Sequence, residues 1–89
     1  MDILKCASSG TMESSDVYVE IEPCDDGLEI QIESVVGKQF GEEIKTAVSE
    51  VLQQFDIKNA CVRVADRGAL ECVIRARVET AIIRGKEAE

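Results

Sequence analysis

Apolar and polar residues alternate strictly over residues 17 to 22. Val17, Val19 and Ile21 fall on one side, and Tyr18, Glu20 and Glu22 on the other. A period of two marks a half-buried strand. Pro23 lacks the N–H that a ladder needs, and it falls where the strand should end. Cys24-Asp25-Asp26-Gly27 has the composition of a turn. The alternation then resumes, with Leu28, Ile30 and Ile32 inward and Glu29, Gln31 and Glu33 outward. A hairpin joining the two runs sets Val19 opposite Ile30 and Val17 opposite Ile32, so the apolar faces agree. It also opposes Glu20 to Glu29, a modest cost in water.

The period changes in the middle of the chain. Phe40, Ile44, Ala47, Val48, Val51, Leu52 and Phe55 recur at steps of three and four, which predicts an amphipathic helix over about residues 38–55. Alternation returns with Val62 and Val64 inward and Arg63 outward. Asp66-Arg67-Gly68 reads as a hairpin loop with Gly68 at its left-handed position. That loop opposes Val64 to Leu70, Val62 to Cys72 and Arg63 to Glu71, and puts Cys72 on an apolar strand face. The last strand, over residues 69–75, runs through Ile74. Residues 77–85 fit either an extended segment or a short final helix, and the steps between Val78, Ala81 and Ile82 favour the helix.

The expected fold is therefore α+β. One antiparallel sheet made of two β-hairpins, in the order β-β-α-β-β, packs on a single central helix, with a short C-terminal helix as an optional addition. Its outer face carries Glu20, Glu29 and Glu33 on the first hairpin and Arg63, Arg75 and Arg77 on the second. That division of sign can orient a protein partner. At 89 residues the chain is expected to be one domain, 1–89, with a flexible N-terminal segment over about 1–15.

Composition narrows the function. Hydrophobic residues make up 45% but aromatics only 3%, so the core must be aliphatic. The net charge of −8 opposes binding to nucleic acid or to an anionic membrane surface. No apolar run reaches the ~20 residues of a membrane span. The opening MDILKCASS is too polar for a secretory signal, so the expected location is cytoplasmic. Cys6, Cys24, Cys61 and Cys72 lack close metal-ligand spacing, and in a reducing compartment they are expected to be free thiols. The chain has no histidine, which closes the Ser-His and Cys-His routes to an activated nucleophile. The chain alone is expected to be no enzyme.

One stretch has no evident structural task. Residues 8–16, SSGTMESSD, carry four serines and a threonine. Such a loop can fill no core and supply no base, but it can offer an exposed hydroxyl. On composition it reads as a linker or as a serine presented for covalent modification.

Five features in order carry a family resemblance: a short acidic chain, GTMESSD running into a strand, LEIQIES, KQFGEEI and DRGALECVIRARVETA. Together they resemble the acyl carrier subunit of citrate lyase, its gamma chain, over about residues 6–84. The resemblance implies a covalent phosphoribosyl dephospho-coenzyme A group held through a phosphodiester on a serine, with 2'-(5''-triphosphoribosyl)-3'-dephospho-CoA as donor. By match to the family's loop the serine is Ser14. The terminal thiol of the group would hold acetyl and then citryl as thioesters. The implied partners are an alpha subunit that exchanges acetyl for citryl, a beta subunit that cleaves citryl to oxaloacetate, and the enzyme that attaches the group. Strand parity also favours Ser14 over Ser15. If the alternation of residues 17–21 extends back, Ser15 leans inward and Ser14 outward. Two other readings fit the composition. One is a small regulatory or scaffold domain whose serine loop is a linker or phosphorylation site, and the other is an enzyme with a reactive cysteine.

Overall fold

The computed structural model describes residues 3–25, 27–34 and 38–86, with backbone alone for 38–40. It contains β1 (Ala7–Gly10), β2 (Val17–Pro23), β3 (Leu28–Ser34), α1 (Lys38–Gln54), β4 (Ala60–Asp66) and α2 (Glu71–Lys86). The α+β class is as expected. The hairpin pairings are not.

The sheet order is β1-β2-β4-β3. β4 lies between β2 and β3, antiparallel to the first and parallel to the second. Val19 therefore faces Val64 rather than Ile30, and Ile30 faces Val62 from the other side. The reason lies in burial. β4 buries Ala60, Val62, Val64 and Asp66, whereas β3 leaves Ile30 and Ile32 only half-buried. The strand with more to bury takes the interior position. Pro23 and Leu28 both stand level with Ala60. The chain between them spans two strand spacings, about 10 Å, which residues 24–27 cover easily. Gly27, with φ 92°, accepts the Ala60 N–H at 3.0 Å and donates its own N–H to Asn59 Oδ1 at 3.0 Å.

The predicted strand over residues 69–75 belongs instead to a helix. The inward set of α2 is Ile74, Val78, Ala81, Ile82 and Gly85, a stripe of three- and four-residue steps. Leu70 and Cys72, the other inward members of the predicted strand, are exposed. Asp66 makes the turn: its Oδ1 accepts the Ala69 N–H at 3.0 Å and its Oδ2 accepts the Ser34 hydroxyl at 3.1 Å. Gly68 has a φ of 94°, the left-handed value expected of it, but in a turn that leads into a helix. Arg75 and Arg77 consequently sit on α2 rather than on a strand, and Arg63 does not face Glu71.

The central helix matches its expected span. Ile44, Ala47, Val48, Val51 and Leu52 are buried, while the Phe40 side chain lies outside the described residues. The helix stops in a left-handed cap. Asp56 has a φ of 54°, its N–H bonds Gln53 O at 3.0 Å, and the Ile57 N–H bonds Leu52 O at 3.0 Å. α2 packs on β1, β2 and α1, and α1 packs on β3. Both helices thus cover one sheet face, over a core in which Val19, Ile21, Val48, Leu52, Val62, Val78 and Ile82 are sealed.

Candidate functional site

Residues 8–16 are only partly loop. Ala7–Gly10 forms β1 and pairs antiparallel with β2, from Ala7 opposite Ile21 to Gly10 opposite Tyr18. This edge strand is also tied to α2, whose Arg84 donates Nη1–H to Ser8 O at 2.8 Å. The serine-rich segment is therefore not a linker: its second half, residues 11–16, connects two paired strands.

Both ends of that connection are built rigidly. Gly10 has a φ of 92°, and a Cβ placed on it would meet Val17 O at 1.8 Å. Only glycine fits there. At the other end, Asp16 gathers several donors. Its Oδ1 accepts the Val17 N–H at 2.7 Å, and its Oδ2 accepts the Thr11 hydroxyl at 2.7 Å. Arg77 of α2 grips both oxygens, with Nε at 3.3 Å from Oδ1 and Nη2 at 3.2 Å from Oδ2. The Thr11 hydroxyl, then the Val17 amide and, more weakly, Arg77 hold the Asp16 carboxyl below the usual carboxylate range, against an opposing effect of burial larger than either contribution of Arg77.

Between these anchors lies a tight turn. The Asp16 N–H donates to Glu13 O at 3.2 Å, which leaves Ser14 and Ser15 at the two corners. Ser15 has a φ of 66°, the positive value a type II turn requires at its third position. Its N–H donates to Arg67 O at 2.8 Å, and the Arg67 N–H donates to Asp16 O at 2.9 Å. These two bonds extend the pairing of β2 with β4 by one more step.

Ser14 and Ser15 are both exposed, so parity does not separate them. The left-handed residue at 15 interrupts the alternation on which that argument rested. The backbone separates them instead. Ser15 is fixed by Arg67, whereas Ser14 makes no hydrogen bond with any described residue through backbone or side chain. The neighbouring hydroxyls are less accessible. Ser9 is buried, Ser8 half-buried, and Thr11 is engaged with Asp16. The turn therefore offers a weakly nucleophilic but open hydroxyl on a fixed base. No described acid, amine or thiol is hydrogen-bonded to it as an activating base, so any chemistry at this oxygen needs an outside catalyst. Sequence reasoning placed Gly10 in this loop without seeing its constraint, and missed Arg67 and Arg77. Asp16 and Arg77 lie 61 positions apart, and no local pattern connects them.

Among the cysteines, Cys61 is not set up as a reactive thiol. All four are free thiols, and Cys61 donates its Sγ–H to Glu29 Oε2 at 3.4 Å. The Glu29 carboxylate pushes that thiol up, away from the reactive thiolate. No cluster of metal-ligating side chains occurs among the described residues, and none of their helices is long and apolar enough to cross a membrane.

An open serine hydroxyl on a small, rigid α+β body is what an acyl carrier needs, and the model of one such family, ACP, described as malonate decarboxylase delta subunit (MdcD), matches residues 5–85. The citrate lyase acyl carrier protein of Latilactobacillus sakei is 47% identical over 96% of this chain and 84% of its own length. The one from Haemophilus influenzae strain PittEE is 52% identical over 98% of this chain and 90% of its own. The chain belongs to the citrate lyase acyl carrier protein family. Its fold recurs in a Pseudomonas malonate decarboxylase hetero-tetramer solved in complex with malonate. The TM-score is 0.80 at 21% identity, over 94% of this chain and 87% of that one.

Proposed function

We propose that this chain is the acyl carrier subunit of a citrate lyase, with Ser14 as the residue that bears the prosthetic group. The observation that carries the assignment is the unbonded, exposed Ser14 hydroxyl at the tip of a turn whose two sides are clamped by Gly10, Asp16 and Arg67. The whole chain, 1–89, acts as one domain in this reading. The mobile part in this reading is the group carried on Ser14.

The residues suit a phosphoribosyl dephospho-coenzyme A group in a phosphodiester on Ser14. The oxygen is open, and a side chain at this corner of the turn leaves the core packing untouched. The group supplies a thiol that carries acetyl and citryl as thioesters. The chain's own residues present it. Asp16 and Arg77 fix the base of the loop against α2, so the arm swings from a defined point. Tethering raises the effective concentration of the acyl group at each partner site. The partners are the alpha and beta subunits of the lyase and the enzyme that attaches the group, in the cytoplasm. The subunit itself does no chemistry on citrate.

The test is intact mass of the protein produced beside the attachment enzymes, followed by peptide mapping. A nucleotide-sized adduct on the Ser14 peptide is expected. It should vanish in Ser14→Ala and persist in Ser15→Ala. Phosphate alone, or an adduct that survives Ser14→Ala, overturns the reading.

A further inference from the structure

Arg67 stands apart from the other described arginines. Arg63 pairs with Glu22, Arg75 with Glu50 and Glu71, Arg77 with Asp16, and Arg84 with Ser8 O. The Arg67 side chain has no hydrogen-bond or ion-pair partner among the described residues, and its Nε is sealed from solvent. An N–H buried in that way has lost water and gained nothing, which costs free energy. In a chain with 18 acids against 10 bases, carboxylates are plentiful, so an arginine left without one is unusual.

Its position gives the vacancy a meaning. The Arg67 carbonyl accepts the N–H of Ser15, the residue next to Ser14, at 2.8 Å, and the Arg67 N–H bonds Asp16 O. The backbone of Arg67 is thus stitched to the turn that carries the candidate serine. The other arginine bonded to this loop, Arg77, is already committed to Asp16 through two bonds. Glu13 lies in the turn, and Glu20 and Glu33 lie on the sheet face beyond it, where the one described cation, Arg63, is already paired with Glu22.

We propose that Arg67 is the positioning residue for the phosphodiester on Ser14. The guanidinium offers a planar fork that suits two phosphate oxygens, and by turning out toward the group it exchanges a sealed, unmatched Nε–H for a bonded one. The arm then leaves the protein in a set direction instead of rotating freely about the serine. This rests on the reading of Ser14 given above. It adds that the loop is completed only when the group is present.

The experiment compares unfolding midpoints of modified and unmodified protein at low salt, for wild type, Arg67→Gln and Arg67→Lys. Peptide mapping first establishes that the adduct is on Ser14. If it is not, the carrier reading fails before Arg67 is tested. With the adduct in place, modification should raise the wild-type midpoint by about 4 °C. It should raise Arg67→Lys by less, because a lysine has the charge without the fork, and Arg67→Gln not at all. The wild-type gain should shrink in high salt. A second measurement needs no variant: the Arg67 Nε–H resonance of wild type should shift on modification. An equal gain in wild type and Arg67→Gln, no gain in wild type, or an unmoved Nε–H resonance overturns the proposal.

Discussion

At the scale of single residues, Asp16 does most to hold the candidate site. It joins the loop, the start of β2 and α2 through one carboxylate. Its carboxyl is held below the usual range, so it binds fewer protons folded than unfolded. The stability it contributes is then present at neutral pH and is lost as pH falls through the carboxylate range to the lowered folded value. Asp16→Asn is therefore expected to unfold more readily than wild type at pH 7. The gap should narrow as pH drops below about 4. Denaturant titrations of both proteins across that range check it, and a pH-independent gap would mean that the contribution is steric rather than electrostatic. Ser14 is proposed here on the family's loop motif, which the sequence already carries. That it differs from Ser15 in its backbone bonds was not legible, since the left-handed turn at 15 depends on Arg67, far along the chain.

At the scale of elements, α2 is the instructive case. Over residues 70–74 a period of two and a period of 3.6 both put apolar residues at plausible places, and five residues cannot separate them. Only the continuation to Val78, Ala81, Ile82 and Gly85 decides for a helix. The two assignments make opposite demands on Cys72, inward on a strand and outward on the helix. With Ile82 fully buried and Cys72 exposed, Ile82→Ala should cost roughly 3 kcal/mol. Cys72→Ser should stay within about 0.5 kcal/mol of wild type. Equilibrium unfolding in urea measures both. A large loss at Cys72 would favour the strand. The central helix raised no such conflict, because its 3.6 period runs for four turns and ends at a cap where Asp56 takes the left-handed conformation.

At the scale of the whole molecule, the proposed role predicts dependence on partners. The purified chain should cleave no citrate. Cleavage should appear when the modified carrier is combined with alpha and beta subunits, and it should fail with the Ser14→Ala carrier although that protein folds. A spectrophotometric assay for oxaloacetate on each mixture checks this, and appreciable turnover by the carrier alone would refute it. The sequence by itself determined the α+β class, the inward sets of β2, β4 and α1, the aliphatic core and a hydroxyl-rich loop, because each follows from local periodicity or composition. It could not decide which strand lies beside which. Residues of β2 match the apolar face of β3 as well as that of β4, and face-matching alone does not rank the two. Burial of the whole sheet under two helices does, by drawing β4 into the middle. The same long-range assembly brings Arg67 and Arg77 to the serine turn. The loop's composition was written locally, but its rigidity comes from contacts that exist only once β4 and α2 have packed beside it.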